Sequence, residues 1–192
     1  MLARKSPFRL IRSDYFFELS DMTRSLPIFF AASFLFGCSV PTLQNISDPR
    51  VSAYTETLAG RTAVYSWTAK GRMHFTCTYD QQGLYWKFNR PSGTLHSDDG
   101  RQQGTLNSDW SITGRDGSRL QARILLNGPS VRSTDLRNAV FEATPVSGGM
   151  FARISRVERT QAKGGMPLTK CSASQRGQHL SVPFEARYVF WR

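Results

Sequence analysis

From Ala63 onward the chain alternates. In "RMHFTCTY", Met73, Phe75, Cys77 and Tyr79 are separated by His74, Thr76 and Thr78. A period of two makes this a half-buried strand with Cys77 on its inner face. Ahead of it, "AVYSWTA" puts Tyr65 and Trp67 on one face, and Lys70-Gly71 is expected to turn a hairpin between the two stretches. "LYWKFN" places Leu84, Trp86 and Phe88 inward. Asp116-Gly117 is a strong tight-turn dipeptide, and Leu120, Ala122, Ile124 and Leu126 follow it on one face. The closing "FEARYVFWR" alternates Phe184, Ala186, Tyr188 and Phe190 with Glu185, Arg187, Val189 and Trp191. Turn-forming clusters such as "DQQG", "RPSG", "SDDG" and "VSGG" recur at intervals of about 8–12 residues. Short strands at that spacing predict an all-β fold. The expected form is an antiparallel sandwich or barrel with long loops and at most one short helix. "STDLRNAVFEAT" offers either one helical turn or, in "AVFEAT", a further strand. "GTLHSD" (Gly93 to Asp98) returns as "GTLNSD" (Gly104 to Asp109), read as similar turn chemistry in a meander rather than a duplicated binding element.

The front of the chain breaks this pattern. Residues 26–38, "LPIFFAASFLFGC", form an apolar run too short for a spanning helix, which needs roughly 20 residues. It fits the core of a secretory signal, with Arg24 before it and small residues at its end. Asp14, Glu18 and Asp21 sit badly with a signal, so Met22 is the expected start and residues 1–21 an overextended one. Leu35-Phe36-Gly37-Cys38 resembles the bacterial lipoprotein processing box, although Phe36 is large for its place. The resemblance implies cleavage before Cys38 and a diacylglycerol on its thiol, with Ser39 next to it favouring the outer membrane or periplasm. A signal cut elsewhere and a true membrane anchor are the alternatives. The expected organisation is a signal peptide over 22–37, a lipidated tether over 38–57 and a single β domain over 58–192. The tether "SVPTLQNISDPRVSAYTET" shows no clear periodicity.

Charge and cysteines extend the picture. Losing residues 1–37 removes five basic and three acidic residues, so a net charge of +11 falls only to +9. The basic character belongs to the β domain and favours anionic partners. With Cys38 acylated, Cys77 and Cys171 remain; in an oxidising compartment they pair or stay as separate buried thiols. They make a poor zinc site, and no metal is expected.

The order "HFTCTYD…LYWKFNRPSGTL", "DDG", "W…GRDGS", "RVERTQAKGGMPLTKC" and "VPFEARYVFWR" resembles the family of secreted proteins called domain of unknown function 3455. The resemblance runs from about Leu58 to Arg192. It implies that Cys77 pairs with Cys171, and it implies no established activity. The family usually carries a His and a Gly-Pro before the Trp. "GTLNSDW" has neither, so no family site on that His is carried over. A dinucleotide fold is excluded by the lack of a GxGxxG after a strand and of any βαβ pattern.

No lipase, zinc-protease, Walker or EF-hand motif is present. His96, Asp98 and Asp99 form the densest polar cluster, a candidate for cation or acid–base chemistry that reads first as a tight turn. His74, His96 and His179 stand apart in sequence. Arginines interleave with aromatics, and Arg119, Arg123, Arg153, Arg156 and Arg159 are the candidate anion-binding residues. The leading expectation is an envelope-anchored domain that binds an anionic or carbohydrate ligand without chemistry and without a cofactor. Its expected partners are the membrane through the lipid anchor, lipopolysaccharide, an anionic glycan or an envelope protein, rather than nucleic acid. An extracytoplasmic hydrolase or lyase is the rival, and a structural role in an envelope complex the third reading.

Overall fold

The structure, a computed structural model, describes residues 49–192. Cys38, the signal segment and the first half of the tether lie outside them. A helix, α1, covers Pro49–Leu58. Eight strands follow: β1 Ala63–Asp80, β2 Gly83–His96, β3 Gln102–Leu106, β4 Ser111–Gly114, β5 Arg119–Asn127, β6 Ala139–Pro145, β7 Arg156–Gly164 and β8 His179–Trp191. A 3-10 turn, Ala173–Gln175, lies in the loop before β8. Each strand pairs antiparallel with the next, and β8 returns to β1 to close a barrel. The all-β expectation therefore holds as a closed barrel.

Alternation sets the faces. Phe184, Ala186, Tyr188 and Phe190 of β8 are all buried, as are Trp67, Ala69, Met73, Phe75 and Cys77 of β1. Leu95, Leu106, Ile112, Leu120 and Phe141 complete one continuous core. Side chains from alternate positions of a small barrel fill its interior in this way.

Four expectations fail locally, each for a physical reason. Lys70-Gly71 does not turn; β1 runs straight through it. A Cβ on Gly71 would lie 2.0 Å from the Ser92 carbonyl oxygen and 2.7 Å from Gly93 Cα. The glycine serves a close strand approach, the other use of that residue in a strand. Ile124 is 43% exposed: it stays opposite the buried Phe141 but is the last regular pair before the ladder slips at the open end, where little packs over it. Tyr79 is 62% exposed at the end of β1, beyond the reach of the core. The expected irregular tether is helical in its last part, and the Tyr54 hydroxyl of α1 donates to Glu158 of β7 at 2.8 Å. Burial and that carboxylate push the Tyr54 hydroxyl far above its ordinary value. "AVFEAT" is the strand β6, not a helical turn.

The repeat has a structural meaning. Its two copies lie side by side, with Gly93 opposite Leu106, Thr94 opposite Thr105 and Leu95 opposite Gly104. Each copy ends in a turn of one design, and the Asp116 turn makes a third. In all three, an Asp is followed by a residue in the left-handed region: Gly100, Trp110 and Gly117, at φ 82°, 67° and 80°. Asp109 Oδ1 accepts from the Ser111 backbone N–H at 3.0 Å, and Asp116 Oδ1 from that of Ser118 at 3.0 Å. Asp99 Oδ1 accepts from Arg101 N at 3.3 Å. Side-chain mimicry of a backbone turn is what Asp does at such places.

In a meander of this kind the loops fall alternately at two ends. The β2–β3, β4–β5 and β6–β7 connections and the start of β1 share one end. There Tyr65, Trp67, Phe151 and Phe190 pack together, with Trp67 and Phe190 centroids 4.7 Å apart. Phe151 and Ile154, from the β6–β7 loop, are fully buried over them. This end is sealed. The β5–β6 loop (128–138) and the β7–β8 loop (165–178) cover the other. A disulfide joins Cys77 to Cys171, with Cα atoms 5.9 Å apart and a sequence separation of 94. Gly177 N–H donates to the Cys77 carbonyl, and Cys77 N–H to that of Gln178. The β7–β8 loop is thus stitched to β1 three times over.

Candidate functional site

The open end holds two cavities. The first, of about 590 Å³, lies against the β5–β6 loop and is lined by Arg132, Arg137, Arg159, Asp135, Ser130, Ser133 and Met166 among others. The second, of about 340 Å³, lies under the β7–β8 loop against Trp86, Leu180, Val182 and Pro183, with Met166, Pro167 and Leu168 on its rim. Both volumes fall within the range of small-ligand sites.

Arg159 defines the chemistry of the first cavity. Val157 and Arg159 share the inward face of β7, so the guanidinium enters the barrel beside Tyr188, its partner across the ladder. The residue is 4% exposed. Its Nε and Nη2 donate to the Arg137 carbonyl at 3.0 and 2.9 Å. The guanidinium carbon lies 5.5 Å from the centre of the Phe141 ring. Among the described residues, Nη1 has no hydrogen-bond partner, and neither does the Tyr188 hydroxyl. No carboxylate pairs with Arg159 among the described residues, whereas Arg132 Nε stands 3.7 Å from Asp135 Oδ2. Burial pushes the Tyr188 hydroxyl up, against the opposing pull of the Arg159 charge and of the guanidinium's N–H groups close to that hydroxyl. Three guanidiniums and one carboxylate line the cavity, leaving it net positive. A buried charge without a counter-charge is costly to the fold, and an entering anion would offset that cost with charge-assisted hydrogen bonds.

The other four candidate arginines lie elsewhere. Arg119 pairs with Asp109, and Arg123 Nη2 with Glu142 at 2.6 Å, both on the outer wall. The Arg123 hydrogen bond holds the Glu142 carboxyl below its ordinary range. Arg153 is exposed in the β6–β7 loop at the sealed end. Arg156 Nη1 donates to the Ser155 carbonyl at 2.7 Å. The five therefore do not form one site, and only Arg159 reaches a cavity interior. Strand parity was the signal available in sequence, since in "RVERT" Val157 and Arg159 face the same way.

The polar cluster is divided as well. His96 and Asp98 line an outer-wall cavity with Lys70 and Glu185, while Asp99 turns back into its own loop. Asp98 takes a two-pronged hydrogen bond from Arg187, at 2.5 and 3.1 Å. That bond holds the Asp98 carboxyl below its usual range and raises Arg187. His74 Nε2 lies 2.9 Å from Ser92 Oγ, beside a cavity that also takes in His179. No carboxylate lines that cavity. Desolvation first, then Arg90 and Arg72, lower the His74 pKa. The pair thus lacks the acid that would orient the imidazole and stabilise its cation. Among the described residues, no three His, Cys, Asp or Glu side chains converge as a metal site.

The segment that builds most of this architecture has relatives. Residues 109–192, from the Asp109 turn through β8, match the model of a family described as a protein of unknown function, DUF3455. That segment is similar to the DUF3455 family, over somewhat less than half of the chain. The match starts later than the resemblance from Leu58 led one to expect. The matched segment contains Arg159, Met166, Cys171 and Tyr188, whereas Cys77 and Trp86 come from the part of the chain before it. No curated protein and no solved structure is similar enough to the chain to count as a match.

Proposed function

We propose that this protein is an envelope-anchored, disulfide-bonded β-barrel that binds an anionic ligand, free or carried on a glycan, and does not transform it. The observation that carries the reading is the Arg159 guanidinium, buried in the wall of a cavity that holds three guanidiniums and one carboxylate, with no carboxylate paired to it among the described residues. The excess of positive charge over the whole chain supports it, since a basic surface draws anions to the mouth. The location rests on the lipoprotein-like box ending at Cys38.

Titration calorimetry of the purified domain with inorganic phosphate, sulfate and galacturonate, at low and high salt, tests the binding. Salt-sensitive binding of at least one is expected, weakened at least about tenfold in Arg159→Met, the loss of one or more charge-assisted hydrogen bonds. Equal binding by wild type and Arg159→Met overturns the reading. For the anchor, membrane-extracted protein is expected to begin at Cys38 with an added diacylglycerol mass; an unmodified mass or another start refutes it.

A further inference from the structure

The two cavities of the open end share a wall. Met166 lines both, and the chain on either side of it is pinned: Met166 N–H donates to the Thr134 carbonyl, Leu136 N–H to that of Gly164, and Asp135 bridges to Gly165. A Cβ on Gly165 would lie 2.5 Å from Leu136 Cγ, so the two loops are pressed together at this point. The partition is therefore a built feature of the mouth. On one side of it the lining is cationic. On the other it is apolar, formed by Trp86, Leu180, Val182 and Pro183, with Leu168 at the rim and 83% exposed.

We infer that the ligand is an anionic amphiphile, its charged group held at Arg159 and its hydrocarbon part laid across Met166 into the apolar cavity beside Trp86. This rests on the anion-binding reading above and adds the second half of the ligand. Two adjacent cavities of opposite character, meeting at one methionine, are complementary to a molecule with a charged head and an apolar tail. Methionine suits the joint because its unbranched thioether adapts to whatever lies over it. The apolar lining alone would accept many things; the cationic neighbour selects a tail that ends in an anion.

The probes are inorganic phosphate, octyl phosphate below its micelle concentration, and octyl glucoside, each titrated into the wild-type domain and three variants. Octyl phosphate is expected to bind at least about 100-fold more tightly than phosphate, a gain that burial of only part of an eight-carbon chain provides. Leu168→Gln, at an exposed rim position that leaves the core intact, and Trp86→Ala are expected to bring octyl phosphate to within a few-fold of phosphate. Arg159→Met is expected to weaken both phosphates. If phosphate and octyl phosphate bind alike and both depend on Arg159, the amphiphile is refuted and the anion site stands. If octyl phosphate and octyl glucoside bind alike and Arg159→Met changes neither, both readings fall.

Discussion

The two ends of the barrel are built from similar residues to opposite effect. At the sealed end Tyr65, Trp67, Phe151 and Phe190 meet one another, and the β6–β7 loop presses Phe151 and Ile154 over them. At the open end Phe75, Phe88, Trp110 and Phe141 form a comparable chain of rings, with centroids 5.4 to 6.0 Å apart. There a guanidinium lies over the last ring, and the covering loops leave cavities on either side of Met166. The aromatic content does not distinguish the ends. What does is how far the covering loops fill the barrel: the β6–β7 loop inserts Phe151 and Ile154, whereas the open-end loops contribute Leu136 and are held mainly by a disulfide and backbone hydrogen bonds. The first closes a core, and the second leaves room for a ligand.

The contrast can be broken most severely at the disulfide. Replacing Cys77 and Cys171 with Ala is expected to lower unfolding stability by about 4 to 5 kcal/mol, the entropy of closing a loop of that length. Denaturant titration with and without reductant checks it. Next comes the sealed end, where Phe151→Ala should lose about 3 to 5 kcal/mol through the cavity it leaves, whereas Leu168→Ala at the open rim should stay within about 0.5 kcal/mol of wild type. A similar loss from both would show that the ends are not organised differently. Arg159→Met sharpens the point from the other side. Removing the buried charge relieves its desolvation but strands the Arg137 carbonyl it holds, so stability is expected to stay within about 2 kcal/mol of wild type. A loss above about 3 kcal/mol would make Arg159 a structural residue instead.

The smallest expected effect is on acid stability. The Ser111 hydroxyl and then its backbone N–H hold Asp109 below the ordinary carboxylate range. The Ser118 hydroxyl, the Met150 backbone N–H and the Ser118 backbone N–H do so for Asp116. A carboxyl depressed in the folded state stabilises it above the unfolded value, ordinarily 3.8, and this contribution disappears as pH falls through the lower folded value. Thermal melts are therefore expected to drop below about pH 4. In Asp116→Ala that drop should be shallower, and an unchanged acid limb would show that the turn carboxyl contributes nothing.

The inner faces of β8 and of the middle of β1 were legible in sequence because burial on one side enforces strict alternation. The Asp116-Gly117 turn was legible for its chemistry. Gly71 was misread because a glycine in a strand signals either a turn or a close approach, and only the paired strand shows which. Ile124 was misread because it keeps its parity but sits at the open end of β5, just before a bulge that leaves no mark in composition. The helix α1 lacks an apolar stripe, and its docking through Tyr54 and Glu158 joins residues 104 apart. The candidate site was half legible. An arginine stripe was visible, but its division into paired outer-wall arginines and one inward guanidinium depends on strand neighbours far away in the chain.

Closure of the barrel by its first and last strands has a consequence for how the chain comes to be folded. β1 finds its partner in β8 from Ala63 opposite Trp191 to Thr76 opposite His179. Arg192 and Thr62 exchange backbone hydrogen bonds at the seam. A fragment that stops before β8 lacks one side of that seam, so closure waits for β8. Pairings this distant in sequence also form slowly. The other ladders join consecutive strands and need no distant partner, so it is the β1–β8 seam alone that turns an open sheet into a barrel.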